Sequence, residues 1–576
     1  MKRILFATSE AVPFIKTGGL ADVAGALPKC FDKRYFDVRV ILPKYACMKQ
    51  EWKDKMEYIT HFYMDLGYKN CYVGILHMEY DGIQFYFIDN EYYFSGPKPY
   101  DSAPWDLEKF AFFSKAVLSV LPVIGFRPDV IHCHDWQTGL VPVYLHDSFQ
   151  QNEFFWGIKT VMTIHNLKFQ GVWDVKTVQG ITGLSDYYFA PDKLEAYKDA
   201  NFLKGGIVFA DAVTTVSNTY AEEIKTPFYG ERLDGLLCAR AHDLRGIVNG
   251  IDYDVFNPET DKYITQNYNA KTFRKEKVKN KLQLQRDLGL NEDPNAMLIG
   301  IVSRLTDQKG FDLIAYIMDE LCQDAVQIVV LGTGEERYEN MFRHFDWKYH
   351  GKVSAQIYYD EPMSHRIYAA SDAFLMPSLF EPCGLSQLMS LRYGTLPIVR
   401  ETGGLKDTVE PYNQYEGTGT GFSFTNYNAH EMLATVRNAE KVFYDDKREW
   451  NKIDIVYIAC HGWFHSISLE GENGNVDLQE LADIAGDFFR DKIVHFSCCK
   501  TLANTSEVEH FKSITGAKLV CGYKKSVDAM KSAIADTALL NELITSNKPG
   551  NIKNIAISKF RKTYKSLLNE LDFCAI

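Results

Sequence analysis

The sequence predicts an α/β fold built on parallel sheets, and three observations lead to this prediction. Short apolar runs recur along most of the chain, and each is followed by loop residues and then by a longer stretch with helical periodicity. The runs are continuously apolar, which is typical of strands buried on both faces of a parallel sheet. The runs that predict strands are RILFATS, DVIHCHD, TVMTIHN, AVTTVS, MLIGIVSR, QIVVLGTG, AFLMPS and LPIVRE.

The apolar runs fall into two clusters, which predicts two domains of this kind. Between the clusters, the segment LRGIVNGIDYDVFNPET is rich in Gly, Asn, Asp and Pro. The polar and basic stretch that follows it has no strand signal. We therefore predict a first domain at residues 1–243 and a second at residues 244–451.

A third unit begins after Trp450. IDIVYIACHG, KIVHFSCCKT and AKLVCGYK have the pattern of buried strands, and the segment from Ser526 onward has a helical pattern. Residues 452–576 are long enough for a small domain. The 576 residues are thus predicted to form three domains of unequal size.

The charge balance excludes one class of function. The chain has 63 Lys and Arg residues against 75 Asp and Glu residues, a net charge of −12. A net acidic chain lacks the basic surface of a general nucleic-acid binder. Aromatic residues make up 14% of the chain. Most of them are expected in cores, and exposed ones would suit stacking against sugar rings.

Cysteine usage and the N-terminal segment indicate the compartment. The twelve cysteines are scattered without a C-x-x-C pair, which favours reduced thiols in a cytosol. The apolar run in MKRILFATSEAVPF is too short for a signal-peptide core. No window approaches the roughly 18 uninterrupted apolar residues of a spanning helix. We expect a cytoplasmic protein without a membrane partner.

Polar and glycine residues at the carboxyl ends of the predicted strands form the candidate site. Ligands of open parallel sheets bind at these ends. The candidates are Lys16, Gly18 and Gly19 after the first strand, Asp135 after DVIHCH, His165 after TVMTI, Arg304 and Lys309 after MLIGIVS, Glu381 after AFLMPS, and Thr402, Gly403 and Gly404 after LPIVRE.

Together these residues predict a site for a diphosphate. Two Gly-Gly loops precede helices, where glycine lets the backbone approach a phosphate and the helix N-terminus favours an anion. At a third strand end, Arg304 adds a planar guanidinium that can donate two hydrogen bonds to a phosphate, and Lys309 adds a compact ammonium charge. Walker A and G-x-G-x-x-G motifs are absent from the sequence, and its carboxylates are not clustered as a magnesium site needs. We therefore expect a nucleotide diphosphate held without metal and without a cofactor.

Seven motifs in order carry a resemblance to a known family. They are KTGGLADV, HDWQT, TIHNLKFQG, VNGID, SRLTDQKG, FEPCGLSQL and ETGGLKDTV. Residues 1–451 resemble the bacterial glycogen synthases and starch synthases, glycosyltransferase family 5. The resemblance implies the GT-B fold, in which two Rossmann-like domains flank a deep interdomain cleft. It also implies transfer of glucose from ADP-glucose to the non-reducing end of an α-1,4-glucan (glycogen), with retention of configuration.

The resemblance implies how the leaving diphosphate is stabilised. Arg304 and Lys309 would bind it electrostatically, and Lys16 would reach the same phosphates from the first domain. The helix N-termini after Gly18-Gly19 and Gly403-Gly404 would add backbone donors. The cleft would have to close for Lys16 to meet Arg304, so domain closure is a further prediction.

The resemblance also implies roles at the sugar. Glu381 would hold the glucose hydroxyls or the reacting centre. His165 would contact the sugar near C6 or near the anomeric carbon, and Asp135 would help to place the acceptor or the sugar. Asn249 and Thr402 are further candidates for donor binding.

The third unit resembles a different family. Cys460-His461-Gly462 and Ser497-Cys498-Cys499-Lys500-Thr501 are similar to the motifs of caspase-like peptidase domains of the CHAT type. The resemblance implies a small α/β domain with His461 as base and Cys499 as nucleophile. The alternative is that both are packing residues. Glycogen synthases normally continue past a segment like REWNK into a helix that crosses back to the first domain, whereas this chain turns into IDIVYIACHG.

Three hypotheses follow for the whole chain. The first is a glycogen synthase with an accessory domain, and the intact set of Lys16, Arg304, Lys309 and Glu381 favours it. The second is a caspase-like cysteine peptidase or regulatory module fused to a glucan-sensing synthase scaffold. The third is an accidental join of two chains near residue 451. The choice between an ADP and a UDP donor stays open, because no single residue of the sequence reads the base.

Overall fold

A computed structural model describes most of the chain, in two compact units. Met1–Ile455 form the first unit and Val456–Ile576 the second. The described residues are 1–415, 417–445, 450, 461–463, 466–468, 475–477, 493–496, 505–515, 519–523, 561–562, 564–565, 568 and 573–575.

The first half of the first unit is built on a nine-stranded sheet and a small three-stranded sheet. Their strands are β1 (Lys2–Ala7), β2 (Phe36–Pro43), β3 (Glu57–Leu66), β4 (Lys69–Tyr80), β5 (Ile83–Asp89), β6 (Val130–His134), β7 (Lys159–Ile164), β8 (Val172–Asp174), β9 (Glu195–Ala196), β10 (Asp199–Asn201), β11 (Ala212–Thr215) and β12 (Leu244–Gly246). The large sheet has the order β12-β11-β7-β6-β1-β2-β5-β4-β3, and the small sheet has the order β8-β10-β9. Seven strands of the large sheet run parallel, while β3 and β4 are antiparallel additions at one edge.

Helices connect the parallel strands and pack on this sheet. They are α1 (Gly19–Ala26), α2 (Gln50–Lys53), α3 (Glu91–Phe94), α4 (Trp105–Val123), α5 (Leu140–Asp147), α6 (Val175–Thr182), α7 (Phe202–Phe209), α8 (Asn218–Glu223) and α9 (Asp234–Ala239). The largest is α4, which is buried along most of its length, including Phe110, Phe112 and Phe113. Its half-exposed residues Glu108, Lys115 and Ser119 recur at helical spacing, so α4 presents one narrow polar stripe and buries most of the remaining side chains.

The second half of the first unit repeats the same design with a six-stranded sheet. Its strands are β13 (Met297–Val302), β14 (Val326–Leu331), β15 (Val353–Gln356), β16 (Ala373–Met376), β17 (Leu396–Arg400) and β18 (Phe422–Phe424). All are parallel, in the order β15-β14-β13-β16-β17-β18. The helices are α10 (Phe273–Asp287), α11 (Phe311–Leu321), α12 (Glu336–Lys348), α13 (Glu361–Ala370), α14 (Ser386–Arg392), α15 (Gly403–Thr408) and α16 (Ala429–Asp445).

The described residues of the second unit form two small sheets. Its described elements are β19 (His461–Trp463), β20 (Ser466–Ser468), β21 (Asn475–Asp477), β22 (Ile493–Phe496), α17 (Thr505–Thr515), β23 (Leu519–Tyr523) and β24 (Phe573–Ala575). The first three strands form an antiparallel sheet. In the other sheet β22 and β23 are parallel and β24 is antiparallel to β23.

Most of the strand predictions are confirmed. Each of the eight apolar runs before residue 451 contains a strand, and their sheets are parallel where the continuous runs predict it. The strand Leu244–Gly246, which follows the predicted division at residue 243, pairs with β11 in the first sheet. In the second unit, β22 and β23 lie where KIVHFSCCKT and AKLVCGYK predict strands. Among the helices at described positions, none is long and apolar enough to cross a bilayer.

Candidate active site

The two sheets bring the predicted residues to two edges. In the first half, Lys16, Asp135 and His165 follow β1, β6 and β7, which are adjacent in the sheet order. In the second half, the predicted residues follow β13, β16 and β17, which are also adjacent. The carboxyl ends of neighbouring parallel strands meet at one edge, so each sheet presents a compact set of polar groups.

The glycine loop of the first half is tied to a buried carboxylate. Glu10 accepts hydrogen bonds from the hydroxyls of Thr17 and Tyr100, both at 2.7 Å, and from the backbone N–H of Thr17. The hydroxyls of Tyr100 and Ser9 also share a hydrogen bond of 2.8 Å. Burial raises the pKa of Glu10, and the hydrogen bonds from Tyr100 and Thr17 oppose that shift. The network fixes the backbone that carries Gly18 and Gly19.

Lys16 is held by an ion pair within the first half. Its ammonium lies 2.7 Å from a carboxylate oxygen of Asp22, with 24% of the lysine side chain exposed. Burial acts to lower the pKa of Lys16, but the Asp22 carboxylate outweighs this and the pKa is raised. Tyr359 and Glu361 of the second half also act electrostatically on this lysine. Lys16 thus carries its charge at a point where both halves act on it.

The two glycines of this loop have different surroundings. A Cβ on Gly18 would meet nothing within 4 Å, so its backbone borders open space. A Cβ on Gly19 would lie 3.3 Å from the side chain of Leu385 in the second half. The loop therefore packs on the second half at Gly19 and leaves room beside Gly18.

Asp135 is held in an uncommon backbone conformation. Its φ is +55°, and its Oδ1 accepts hydrogen bonds from the backbone N–H groups of His165 (2.7 Å) and Asn166 (3.3 Å). A positive φ is rare outside glycine and is sustained here by these bonds. Burial raises the pKa of Asp135 to about 7, against the lowering effect of the two amides.

His165 belongs to a group of three imidazoles. Its Nε2 lies 2.9 Å from Nδ1 of His134, and the His134 ring packs on that of His132 with 4.2 Å between centroids. Burial lowers the pKa of His165 to about 3 and that of His132 to about 4. The imidazoles are therefore neutral near pH 7. Among the described residues, no group of three or more His, Cys, Asp or Glu side chains is arranged to hold a metal ion.

In the second half, Glu381 and Lys309 form an ion pair. Lys309 Nζ lies 2.6 Å from Glu381 Oε2, and the side chains are 16% and 8% exposed. The hydroxyl of Ser378 donates to the same oxygen at 3.0 Å. Arg304, at the end of β13, is exposed. The sequence-predicted carboxylate and cation are thus in direct contact.

The amides of the second Gly-Gly loop have partners that the sequence does not predict. Gly403 N–H donates to the carboxylate of Glu223 in the first half, at 3.1 Å to each oxygen. Gly404 N–H donates to the carbonyls of Glu381 and Pro382, both at 3.1 Å. Both N–H groups thus have protein acceptors in this structure, and their hydrogen bonds to a diphosphate, which would replace these acceptors, stay a prediction.

Other predicted candidates are placed as follows. The Thr402 hydroxyl also donates to Glu223, at 2.9 Å. Asn249 hydrogen-bonds the thiol of Cys383, whose pKa burial raises to about 12, so this cysteine is an unreactive packing residue. His461 starts β19, while Cys499 lies outside the described residues.

Sequence reasoning missed three residues that line this site. Glu10 and Tyr100 hold the glycine loop, and Tyr359 presents a ring that is 70% exposed beyond the end of β15. Glu10 and Tyr359 each follow a strand, so the strand-end argument could have found them. Tyr100 has no such signal, because only the tertiary structure brings it to Glu10.

Comparison with known proteins agrees with this geometry. The family described as the starch synthase catalytic domain matches residues 3–239, and the glycosyl transferases group 1 family matches residues 281–449. The glycogen synthase of Lachnospira eligens is 72% identical over 453 residues, which cover 79% of this chain and 95% of that protein. The chain belongs to the glycogen synthase family.

Two further relatives agree with this membership. The glycogen synthase of Lachnoclostridium phytofermentans is 67% identical, with 79% of this chain and 95% of that protein covered. The catalytic domain of starch synthase IV from Arabidopsis thaliana, solved with ADP and acarbose, superposes with a TM-score of 0.74 at 32% identity. That match covers 79% of this chain and 94% of the solved one. The chain is thus a retaining glycosyltransferase with the GT-B fold.

The C-terminal part of the chain matches a separate family. A family of unknown function, DUF6642, covers residues 421–575 and so overlaps the end of the glycosyltransferase match. The caspase-like interpretation of residues 452–576 gains no support from this match and stays a prediction.

Proposed function

We propose that this chain transfers glucose from ADP-glucose to the non-reducing 4-hydroxyl of an α-1,4-glucan, with retention of configuration. The observation that carries the proposal is the Lys309–Glu381 ion pair, which joins a buried carboxylate to a cation at a strand edge of the second half. The first half supplies Lys16 and an open glycine backbone at the facing edge. A sugar diphosphate needs this combination of a carboxylate for hydroxyls and cations for phosphates.

The cations account for stabilisation of the departing ADP. Negative charge builds on the diphosphate as the bond to glucose breaks, and fixed positive groups favour that state over the bound substrate. Lys309 is already oriented by Glu381, and Lys16 by Asp22. Arg304 is exposed and can fork onto two phosphate oxygens. Closure of the cleft would bring the cations of the two halves onto one diphosphate.

Glu381, Asp135 and His165 would bind the sugars. The transition state of glucosyl transfer has oxocarbenium character, so nearby positive charge is unfavourable and a carboxylate is favourable. A neutral His165 suits this requirement, since its low pKa keeps it uncharged beside the sugar. Asp135, with a pKa of about 7, can accept a hydrogen bond from a hydroxyl or donate one near neutral pH.

Tyr359 is our candidate residue for binding the nucleobase of the donor. Its exposed ring lies beyond the end of β15, and the phenol and the Lys16 ammonium act electrostatically on each other, which places them near one another. A flat ring beside a phosphate-binding cation suits stacking on a base attached to the same diphosphate. The related starch synthase IV was solved with ADP bound. Stacking on the ring suits either base, and the ADP bound to that relative is what supports ADP as the nucleotide here.

The test is a donor comparison on the full chain. Purified protein is given glycogen with either ADP-glucose or UDP-glucose, and release of the nucleoside diphosphate is followed. We expect kcat/KM to be at least about 100-fold higher with ADP-glucose, the factor that roughly 2.7 kcal/mol of base recognition provides. Equal rates with the two donors would refute the assignment of the base, and no release with either would refute the proposed reaction.

The remaining assignments are proposals of the same kind. We propose that residues 1–243 mainly bind the acceptor, that residues 244–451 mainly bind the donor, and that the enzyme acts in the cytoplasm. All seven cysteines of residues 1–455 are free thiols, as a reducing compartment requires. The peptidase-like prediction for His461 and Cys499 is tested by thiol labelling of the chain with and without Cys499→Ala.

A further inference from the structure

The backbone of Glu381 packs against Gly403 and Gly404, the first two residues of α15, which together are called the Gly403–Gly404 turn below. Gly403 has a φ of +45°, and a Cβ at this position would lie 1.9 Å from the Glu381 carbonyl oxygen. Gly404 N–H donates to the same carbonyl at 3.1 Å. Only glycine permits this approach, so the turn and the main chain of Glu381 are held as one piece.

One short helix of the first half contacts this piece at two points. At its end, Glu223 accepts hydrogen bonds from the Thr402 hydroxyl (2.9 Å) and from Gly403 N–H (3.1 Å). At its start, the N-cap residue Ser217 donates its hydroxyl to the carbonyl of Pro382 at 2.5 Å. The helix α8 thus reaches both the residue after Glu381 and the turn against which Glu381 packs.

The same helix is aligned with the first-half side of the site. In the pairing of β11 with β7, Thr215 is opposite Ile164, and the Thr215 hydroxyl donates to the Ile164 carbonyl at 2.8 Å. Ser217 and His165 therefore leave adjacent strand ends, two residues and one residue beyond this pair. Any displacement of α8 relative to the second half would change the separation between His165 and Glu381.

We propose that Glu223 and Ser217 are positioning residues that fix Glu381 relative to His165. Glu223 acts through Thr402 and Gly403, and Ser217 acts through Pro382; neither needs to touch substrate. The proposal rests on the proposed function, because it assigns Glu381 to the glucose of the donor. It predicts that loss of Glu223 slows transfer while leaving the binding of free ADP, which carries no glucose, almost unchanged.

A second contact between α8 and the second half does not involve Glu223, so replacing Glu223 should affect the turn alone. Thr219, on the same helix, binds Asp407 through its N–H (2.9 Å) and its hydroxyl (2.5 Å). This pair keeps α8 against α15 when Glu223 is replaced. A variant at Glu223 therefore loses the contact to the Thr402–Gly403 turn without separating the two halves.

The experiment compares Glu223→Ala with Glu222→Ala in the full chain. Glu222 is the neighbouring residue on the same helix, is 75% exposed, and pairs with Lys225. For Glu223→Ala we expect kcat to fall about 10-fold or more, the effect of roughly 1.4 kcal/mol, with the inhibition constant of ADP within about 2-fold of wild type. Glu223→Gln keeps one acceptor oxygen, and its kcat should lie between that of Glu223→Ala and that of wild type. Glu222→Ala should behave as wild type.

The outcomes separate the alternatives. A kcat within about 2-fold of wild type for Glu223→Ala overturns the proposal. Equal losses of kcat and ADP affinity, with a lowered Tm, also overturn it, because they indicate general loosening. If Glu223→Ala does not fold, Ser217→Ala is used, with an expected fall in kcat of about 3-fold at constant ADP affinity; no fall overturns the proposal. Failure of the proposed donor would instead appear in the wild type, and the comparison is then made with whichever sugar nucleotide the wild type uses.

Discussion

Replacement of Asp135 by Asn should stabilise the protein at alkaline pH while it removes activity. Both amide hydrogen bonds end on Oδ1, an atom that asparagine retains, and asparagine tolerates the φ of +55°. The change therefore removes the charge and little else. Burial raises the pKa of this carboxyl from 3.8 to about 7. At about 1.4 kcal/mol per unit, that shift sets a ceiling of about 4 kcal/mol.

The direction in which stability changes with pH depends on whether the folded or the unfolded state holds the Asp135 proton. The folded state keeps the Asp135 proton up to about pH 7, whereas the unfolded chain releases it near pH 4. Wild-type stability is therefore lost as pH rises through that window, and the asparagine variant escapes this loss. Asp135 is partly exposed, so we halve the ceiling and expect a gain of about 2 kcal/mol at pH 8, with a smaller gain at pH 5.

The assay is the urea midpoint of the variant minus that of wild type, at pH 5 and at pH 8. Asp211→Asn is the control with the opposite sign, because hydrogen bonds and the ion pair with Lys159 lower the pKa of Asp211 against its burial. That variant should be less stable than wild type at pH 8. Transfer activity of Asp135→Asn should fall by about 100-fold or more. A midpoint gain that does not grow between pH 5 and pH 8 would refute the burial argument.

Three further variants test separate parts of the site. Lys309→Ala leaves the buried Glu381 without its cation and should lower kcat by about 100- to 1000-fold; retention of more than about a tenth of wild-type kcat would contradict the role in charge stabilisation. Tyr359→Ala should raise the KM for the donor about 10-fold, the value of one good stacking contact. Tyr358→Ala, at the partly exposed neighbouring residue, should change that KM by less than about 2-fold. Similar effects from both variants would argue against stacking. Gly403→Ala forces a Cβ onto the Glu381 carbonyl and should lower kcat at least about 10-fold, and steady-state kinetics showing a wild-type kcat would mean that the turn does not position Glu381.

Strand-end reasoning predicts much of the site, because parallel sheets place chemistry at one edge. Glu381 and Lys309 are 72 residues apart in sequence, yet β16 and β13 are neighbours in the sheet and their ends bring the two side chains together. The apolar runs specify the strands, and the residue types after them specify the chemistry. Sheet order itself is not encoded locally, so the sequence predicts which residues lie at strand ends but not which of them meet.

The sequence does not predict which side chains of the two halves contact each other. The partner of Gly403 is Glu223, an ordinary helical residue whose side chain has no local signal for binding a distant amide. The predicted hydrogen bonds from Gly403 and Gly404 to a diphosphate stay a prediction, and the sequence gives no sign that both amides have protein acceptors here. By contrast, the antiparallel edge had a local signal that periodicity alone overlooked, since Asp81-Gly82 is a hairpin dipeptide and both residues have a positive φ.

The most direct test of the account is the linkage that the full chain forms. Glycogen is incubated with the protein and ADP-glucose labelled in the glucose, and the product is digested with β-amylase, which removes maltose from non-reducing α-1,4 ends. The account predicts incorporation of label that is lost with Lys309→Ala, and release of that label as maltose. Incorporation that resists β-amylase, or a folded wild type that incorporates no label, would contradict it.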